Sequence, residues 1–167
     1  LPYLKSKPDL RPDGTPWCNE SSYSKWERNF SEKELPALFK KNGKEAMERG
    51  VAIAYDSRNN SDVFSKRCAE VLSANGIKCY IYPELRPTPC LSFALRELGC
   101  IAGINVTASH NPTEYNGYKV YWEDGAQLPP VHADEVARKM KELDVFECVK
   151  SADYDTAVAE GKIVLLG

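Results

Sequence analysis

An alternation of short apolar runs with amphipathic segments between residues 51 and 108 restricts the fold of this chain more than any other feature. The apolar runs are bounded by polar or turn-forming residues, and they predict three strands: VAIAYD (51–56), IKCYIYP (77–83) and CIAGINVTA (100–108). Between them, the segments 61–76 and 88–99 have the length and apolar spacing of helices that cover a sheet.

Both of these predicted helices have recognisable ends. Ser61 is the predicted N-cap of the first helix, and Gly76 follows its last turn. The second is predicted to begin with Thr88 as N-cap and Pro89 at the first helical position, and to end at Gly99. Helices of this length between strands favour β-α-β-α-β connections with right-handed crossovers.

We therefore predict an α/β fold with three layers, α/β/α, in which helices cover both faces of a largely parallel mixed sheet. After the third strand, GYKVYWEDGAQLPP predicts a short hairpin that turns at Asp124-Gly125. A last helix over 132–144 and a strand over 162–167 follow.

The chain before residue 51 is less regular. Residues 1–30 are rich in proline and polar residues and predict an irregular leader. Two short helices are predicted over 31–43 and 44–50, each ending at a glycine. We expect residues 31–167 to form a single α/β domain.

Composition and charge exclude several classes of protein. The chain has 167 residues, 43% hydrophobic and 28% charged, which suits one domain with a real core. A formal net charge of −2 without basic blocks argues against nucleic acid as a partner. No apolar run is long enough to span a membrane, and six cysteines without a C-x-x-C pair predict buried thiols in a reducing compartment. We expect a cytoplasmic protein.

Polar loops follow each predicted strand, and the carboxyl ends of parallel strands are where ligands bind in such sheets. These loops read DSRNN, ELRPTP and TASHNP. The third supplies the Ser109 hydroxyl, the His110 imidazole and the Asn111 carboxamide, and Lys119 follows after an Asn-Gly turn. A hydroxyl that takes a phosphoryl group, with cations nearby to spread its charge, suits phosphoryl transfer. The same residues also suit an ordinary turn, and both interpretations stay open on composition alone.

The order of these residues resembles a known motif. Thr107-Ala108-Ser109-His110-Asn111-Pro112, followed by Asn116-Gly117-Tyr118-Lys119, is similar to the phosphoserine loop of the α-D-phosphohexomutases, the phosphoglucomutase and phosphomannomutase family. The resemblance extends from about Gly50 to Gly167 through AYDSR, RPTP, GYKVYWEDGAQLPP and DYDTAVAEGKIVLLG. These last segments most resemble the phosphoglucomutase branch that includes phosphopentomutase-active members.

The resemblance implies roles for individual residues. Ser109 would carry the phosphoryl group and bind Mg²⁺ through its phosphate. His110, Lys119 and Arg58 would be catalytic, and Asn111 and Thr107 would bind substrate or phosphate. The implied reaction interconverts hexose 1-phosphate and hexose 6-phosphate, such as glucose 1-phosphate and glucose 6-phosphate, through glucose 1,6-bisphosphate.

The chain also departs from the family pattern. The resemblance covers only the first of four domains, and the Asp-Gly-Asp-Gly-Asp-Arg loop that supplies magnesium carboxylates in the family is not found in the sequence. The sugar-reading and phosphate-binding loops of later domains and a G-T-A-G-L-R-G-like segment are missing too. We expect the remaining Mg²⁺ ligands to come from another domain and the isolated chain to have little or no mutase activity.

Other functions remain open at this stage. A phosphomannomutase or phosphopentomutase would share the same loop, and so would a non-catalytic module that binds sugar phosphate. A serine hydrolase using Ser109, a histidine (His110 or His132) and Asp56 is disfavoured, because the sequence has no G-x-S-x-G elbow.

Overall fold

The computed structural model describes residues 43–142 and 149–167. These residues form five helices and five strands, named here in chain order: α1 Gly43–Arg49, β1 Val51–Tyr55, α2 Ser61–Ala74, β2 Cys79–Ile81, α3 Thr88–Glu97, β3 Ala102–Val106, β4 Tyr118–Trp122, α4 Pro130–Met140, α5 Tyr154–Ala159 and β5 Ile163–Leu165. The predicted leader over 1–30 and most of the predicted helix over 31–43 lie outside this part of the chain.

The strands form one sheet in the order β4-β3-β1-β2-β5. Strands β3, β1, β2 and β5 are parallel, and β4 runs antiparallel to β3. All five residues of β1 and of β3 are buried, as expected for central parallel strands that are covered on both faces. The prediction of a largely parallel mixed sheet is confirmed.

The two faces of the sheet carry separate apolar clusters, because successive side chains of a strand point to opposite sides. In β1, Val51 and Ile53 pack in the cluster that also contains residues of α1, α2 and α5. Ala52 and Ala54 pack in the other cluster, together with Leu91 and Leu95 of α3. Helices therefore lie on both sides of the sheet, which confirms the three-layer arrangement.

The predicted N-cap of α2 was one residue too late. Ser61 is the first helical residue, and Asn60 takes the N-cap position with a φ of 62° and no side-chain cap. The Ser61 hydroxyl does not cap the helix because it donates a hydrogen bond to Oδ1 of Asp56, 3.2 Å away.

The start of α3 differs from the prediction for a similar reason. Thr88 is inside the helix, and Pro87 is the N-cap. The Thr88 hydroxyl oxygen accepts a hydrogen bond from the Asn105 carboxamide at 2.7 Å, so it is used to join α3 to β3. The predicted ends were correct, since Gly76 and Gly99 follow the helices with φ values of 76° and 65°.

The remaining elements follow the prediction, with differences in two helices. Gly125 turns the predicted hairpin with a φ of 83°, and its N–H donates to the Trp122 carbonyl. Helix α4 begins at Pro130 instead of residue 132, because proline suits the first turn of a helix. Helix α5 was not predicted; it is only six residues long and is capped by Asp153, whose carboxylate accepts the N–H of Thr156.

Helix α1, the first element of the described residues, agrees with the prediction at its end but not at its start. Gly43, expected to end a preceding helix, is the first residue of α1 with a φ of 62°. Gly50 ends α1 as predicted, and its φ is 74°. A Cβ atom there would lie 2.3 Å from the Lys78 carbonyl oxygen, so β1 and β2 approach too closely for any other residue.

The cysteines of the described ranges are free thiols, as predicted. Cys68, Cys79 and Cys100 are buried and Cys90 is partly buried, while Cys18 and Cys148 lie outside these ranges. Within residues 43–142 and 149–167, no helix has both the length and the apolar character needed to cross a membrane.

Candidate active site

The loops that follow β1 and β3 meet at the carboxyl edge of the sheet. The main-chain N–H of Asn59, after β1, donates to the Thr113 carbonyl in the loop after β3 at 3.2 Å. The N–H of Thr107 also donates to the Gly117 carbonyl, which closes the base of this second loop. Because β1 and β3 are adjacent parallel strands, two distant pieces of sequence form a single polar surface.

Ser109 stands at the exposed tip of the loop after β3. Its backbone has a φ of 58°, in the left-handed region that non-glycine residues seldom adopt. Two hydrogen bonds hold this conformation: the Ser109 N–H donates to the Thr107 hydroxyl at 2.9 Å, and the Ser109 carbonyl accepts from the Arg58 guanidinium. The loop therefore presents an accessible hydroxyl on a backbone that is fixed on both sides.

Lys119 contacts that hydroxyl directly. Its ammonium group donates a hydrogen bond to Oγ of Ser109. Lys119 lies on β4 opposite Asn105 of β3, so its backbone is set by the strand register and not by a mobile loop. The structure thus brings together the two residues on which the predicted phosphoryl chemistry most depends.

Arg58 is close to Ser109 but its guanidinium is directed at the main chain. Only 7% of its side chain is exposed. Nη1 donates to the carbonyls of Asn111, Pro112 and Tyr115 at 2.6, 2.7 and 3.1 Å, and Nε pairs with Asp56 at 3.1 Å. These contacts hold the loop in place; a direct catalytic role for Arg58 stays a prediction.

Thr107 has a similar position in the interior of the loop. Its hydroxyl donates to Oδ2 of Asp56 and accepts the N–H of Ser109, and the residue is only 7% exposed. The hydroxyl is therefore engaged within the protein, and its predicted contact with phosphate stays a prediction.

His110 and Asn111 are exposed beside Ser109. The His110 ring makes no hydrogen bond to any residue that the structure describes, so it is available to a ligand. Asn111 is fixed through its main chain, since its N–H donates to the Ala108 carbonyl and its own carbonyl accepts from Arg58. Its carboxamide has no partner among the described residues either.

A steric contact explains why glycine occupies position 117 in the Asn116-Gly117 turn. A Cβ atom on Gly117 would lie 2.8 Å from the Thr107 carbonyl oxygen, which is backbone and cannot rotate away. Asn116 supports the same turn, because its side-chain oxygen accepts the Gly117 N–H at 2.9 Å. The predicted turn is therefore present and forms one structure with the loop that carries Ser109, and the role of that loop in phosphoryl transfer stays a prediction.

The sequence suggested Asp56 only as the acid of the disfavoured serine hydrolase, and not as a residue that holds this loop. Its carboxylate accepts hydrogen bonds from Arg58, Ser61 and Thr107. The only available signal was its place directly after a buried strand, which many surface residues share. Contacts made by a side chain to a loop some 50 residues away cannot be read from spacing.

The described residues fit a divalent metal poorly on their own. No group of three or more histidine, cysteine or acidic side chains capable of holding a metal occurs in residues 43–142 and 149–167. Asp56 is engaged by donors, and Glu123 pairs with Arg49 at 2.7 Å. Glu123 also follows Trp122, which pairs with Ala102 at the start of β3, so it lies at the edge of the sheet opposite Ser109.

The serine hydrolase arrangement is not assembled either. In the described parts of the chain, the hydroxyl of Ser109 accepts from Lys119 and contacts no histidine. His132 instead stacks on Trp122, with ring centroids 4.9 Å apart and the planes within 5° of parallel. Trp122 is the last residue of β4 and lies at the edge of the sheet opposite Ser109, so His132 is remote from the serine.

Comparison with known proteins agrees with this geometry. The family model described as "Phosphoglucomutase/phosphomannomutase, alpha/beta/alpha domain I" matches residues 20–146. The chain is 40% identical over 116 residues to a phosphoglucomutase of Staphylococcus saprophyticus, covering 70% of this chain and 21% of the relative. It is 39% identical over 121 residues to the probable phosphoribomutase of Schizosaccharomyces pombe, covering 68% and 21%.

A solved structure supports the fold. The open form of parafusin, a phosphoglucomutase from Paramecium, superposes with a TM-score of 0.63 at 23% identity, covering 80% of this chain and 24% of that one. The chain spans about a fifth of the length of the relatives named above. With a family match over more than half of its residues, the chain belongs to the phosphoglucomutase/phosphomannomutase family and carries that family's α/β/α domain I.

Proposed function

We propose that Ser109 is the phosphoryl carrier of a phosphoglucomutase-type enzyme that interconverts hexose 1-phosphate and hexose 6-phosphate. The observation that carries this proposal is the contact between the Ser109 hydroxyl and the Lys119 ammonium at the exposed carboxyl edge of the sheet. Family membership and the resemblance of residues 107–119 to the phosphoserine loop support the same role.

The transfer step follows from these groups. Oγ of Ser109 attacks one phosphorus atom of a sugar bisphosphate such as glucose 1,6-bisphosphate, forming an Oγ–P bond as the sugar O–P bond breaks. The proton that the serine hydroxyl loses passes, directly or through water, to the departing sugar oxygen, which becomes a hydroxyl. A phosphoserine carries nearly two negative charges at neutral pH. The Lys119 ammonium, already beside Oγ, would offset part of this charge in the phosphoenzyme and during transfer.

His110 and Asn111 are proposed to contact substrate or phosphate, because both are exposed next to Ser109. Thr107 and Arg58 are proposed to act mainly by holding the loop, given their contacts. The phosphate of Ser109 would be one oxygen ligand for Mg²⁺. The other ligands would have to come from outside the described residues, and no step here depends on the metal.

The substrate class is proposed as a sugar phosphate. Glucose phosphates are favoured by the phosphoglucomutase among the relatives, while a pentose phosphate is the alternative favoured by the phosphoribomutase. A mannose phosphate or a non-catalytic sugar-phosphate-binding role would use the same loop. We further propose that residues 31–167 form one domain and that the protein acts in the cytoplasm, without nucleic acid or membrane as a partner.

The first prediction tests the phosphoryl carrier. Incubation of the 167-residue chain with glucose 1,6-bisphosphate and Mg²⁺ should add one phosphoryl group, located at Ser109 by peptide mass spectrometry. Ser109→Ala should take up none, and Ser57→Ala should behave as the unchanged chain, because Ser57 is an exposed serine of the neighbouring loop. Equal uptake by Ser109→Ala would contradict the proposal. Binding of the bisphosphate without transfer, even after the other domains of a phosphoglucomutase are added, would favour the non-catalytic module.

The same chain should show little or no turnover of glucose 1-phosphate by itself. The described residues offer one phosphoryl carrier but no cluster of metal ligands. Substantial conversion to glucose 6-phosphate, measured with a coupled dehydrogenase assay, would contradict this expectation.

A further inference from the structure

We propose that Asp56 is the positioning residue of the Ser109 loop: its carboxylate ties both ends of residues 107–117 to the end of β1. This inference rests on the proposed role of Ser109 as phosphoryl carrier. Asp56 directly follows β1, and its own N–H donates to the Val106 carbonyl at 3.3 Å, so its backbone is joined to β3. The side chain then reaches the loop that continues from β3.

Both carboxylate oxygens of Asp56 are fully used. Oδ1 accepts the main-chain N–H of Arg58 and the hydroxyl of Ser61, each at 3.2 Å. Oδ2 accepts Nε of Arg58 at 3.1 Å and the hydroxyl of Thr107. Four donors thus converge on one anion, which is the arrangement that a carboxylate satisfies and that no neutral side chain does.

The first connection runs to the start of the loop. Since the Thr107 hydroxyl gives its only proton to Asp56, its oxygen is left to accept the N–H of Ser109 at 2.9 Å. The acceptor at Asp56 therefore decides which way the Thr107 hydroxyl points. Through it, Asp56 acts on the main chain of the residue that carries the reactive oxygen.

The second connection runs to the end of the loop. The Ser61 hydroxyl, which donates to Asp56, accepts the Asn116 carboxamide at 2.8 Å. Asn116 in turn accepts the N–H of Gly117, the residue whose carbonyl receives the Thr107 N–H. The chain of hydrogen bonds from Asp56 therefore returns to the base of the same loop.

The third connection is the ion pair with Arg58, which contacts the middle of the loop. Only 7% of the Arg58 side chain is exposed, so its buried charge needs a counter-charge. Asp56 supplies it at 3.1 Å. Arg58 is paired in this way, and among the described residues Lys119 is the cation that contacts the Ser109 hydroxyl.

This arrangement predicts that a carboxamide cannot replace the carboxylate. In Asp56→Asn, one of the two oxygens becomes an NH₂ group, whichever way the side chain turns. In either orientation that NH₂ faces an N–H of Arg58, so two donors oppose each other. At least one end of the loop loses its connection, while the shape of the side chain is unchanged.

The experiment measures the solvent exchange rate of the Ser109 amide by NMR in the ¹⁵N-labelled 167-residue chain. Thr107→Val removes only the hydroxyl between Asp56 and Ser109, and Thr107→Ser keeps it. We expect Ser109 exchange to be about tenfold faster in Thr107→Val and unchanged in Thr107→Ser. In Asp56→Asn we expect about tenfold faster exchange of the Ser109 amide or of the Gly117 amide, depending on which of the two oxygens is replaced. Asp62→Asn is the matched control, because Asp62 is exposed in the first turn of α2. Amides of β3 such as Ile104 should exchange equally slowly in all folded variants.

A second measurement links positioning to the reaction. With glucose 1,6-bisphosphate and Mg²⁺, the maximal rate of Ser109 phosphorylation should fall in Thr107→Val and recover in Thr107→Ser, with the half-saturating bisphosphate concentration within about twofold. A folded Asp56→Asn variant in which the Ser109 and Gly117 amides both exchange as in the unchanged chain would overturn the inference, and so would a Thr107→Val variant whose Ser109 amide does. If Asp56→Asn does not fold, the Thr107 pair decides. Absence of phosphorylation in the unchanged chain would count against the proposed function alone, because the exchange measurement does not need the reaction.

Discussion

At the scale of single residues, the loop separates two kinds of cation. Lys119 points its ammonium at the Ser109 oxygen, whereas Arg58 uses all three guanidinium nitrogens on Asp56 and on main-chain carbonyls. The two charges are equal, but their surroundings differ: Arg58 is nearly buried and paired, and Lys119 is half-buried at the ligand-facing edge. We therefore expect Lys119 to act on the phosphoryl group and Arg58 on the loop.

A lysine substitution tests this division. Lys119→Met keeps the length of the side chain and removes the charge beside Oγ. We expect the rate of Ser109 phosphorylation by glucose 1,6-bisphosphate to fall by about 10²-fold, the usual effect of removing one donor from a developing anion. Lys44→Met, at an exposed position of α1, is the control and should leave the rate unchanged. An equal rate in Lys119→Met, followed by intact mass spectrometry, would mean that the contact has no role in transfer.

The sequence was sufficient to predict that Ser109 and Lys119 lie together, but not the contacts of their neighbours. Ser109 and Lys119 were predicted as partners from motif order, and the structure brings their side chains together. For Arg58 and Thr107, the prediction placed both beside the phosphoryl group, whereas their hydrogen bonds are made within the protein. The difference arises because those bonds join residues about 50 positions apart, and their geometry depends on how two loops pack.

At the scale of secondary structure, the site depends on how closely β4 approaches the loop after β3. Gly117 precedes β4, and its Cβ would lie 2.8 Å from a main-chain oxygen of Thr107. Gly117→Ala should therefore push β4 and the loop apart. We expect a loss of about 1–3 kcal/mol in the free energy of unfolding, the usual cost of overpacking, measured by urea denaturation.

Gly103→Ala provides the comparison for this prediction. Its Cβ would also be crowded, at 2.7 Å, but by side-chain atoms of Leu95 on α3, which give way more easily than a main-chain oxygen. We expect a smaller loss of stability than for Gly117→Ala, and no change in Ser109 phosphorylation. A Gly117→Ala variant as stable as the unchanged chain would show that the backbone there yields more easily than the distances indicate.

The boundaries of elements were predicted well where a backbone conformation decides them. Gly76 and Gly99 end their helices because both adopt positive φ values that favour glycine. Ser61 and Thr88 were each predicted as an N-cap, but each is the first residue of its helix. Their hydroxyls form hydrogen bonds with Asp56 and Asn105 and do not cap the helix ends. Side chains capable of capping are also capable of tertiary hydrogen bonds, and sequence alone does not distinguish the two.

At the scale of the whole molecule, buried thiols make the free energy of unfolding depend on pH. Burial raises the pKa of Cys68 and of Cys79 well above the ordinary value, and it raises the pKa of Cys100 to about 11. The folded chain therefore keeps protons that the unfolded chain releases above about pH 9. Since the unfolded state then binds fewer protons, the free energy of unfolding should fall as the pH rises.

The expected slope is measurable. Each of these thiols should contribute a loss of about 1.4 kcal/mol per pH unit above about pH 9, and the contribution of Cys100 should level off above about pH 11. Urea unfolding followed by circular dichroism at several alkaline pH values gives the slope. Cys79→Ala should reduce it by about 1.4 kcal/mol per pH unit. Parallel slopes for Cys79→Ala and the unchanged chain would contradict a buried, protonated Cys79.

The left-handed backbone of Ser109 limits which alcohol is able to carry a phosphoryl group at this position. Threonine also has a hydroxyl, and phosphoryl chemistry alone would permit either residue. A β-branched residue, however, is a true outlier at a φ of 58°, because its second branch crowds the neighbouring main chain. The conformation that leaves the oxygen exposed thus also selects serine over threonine, so substitution by the other common phosphoacceptor should disrupt this loop even though the functional group is kept.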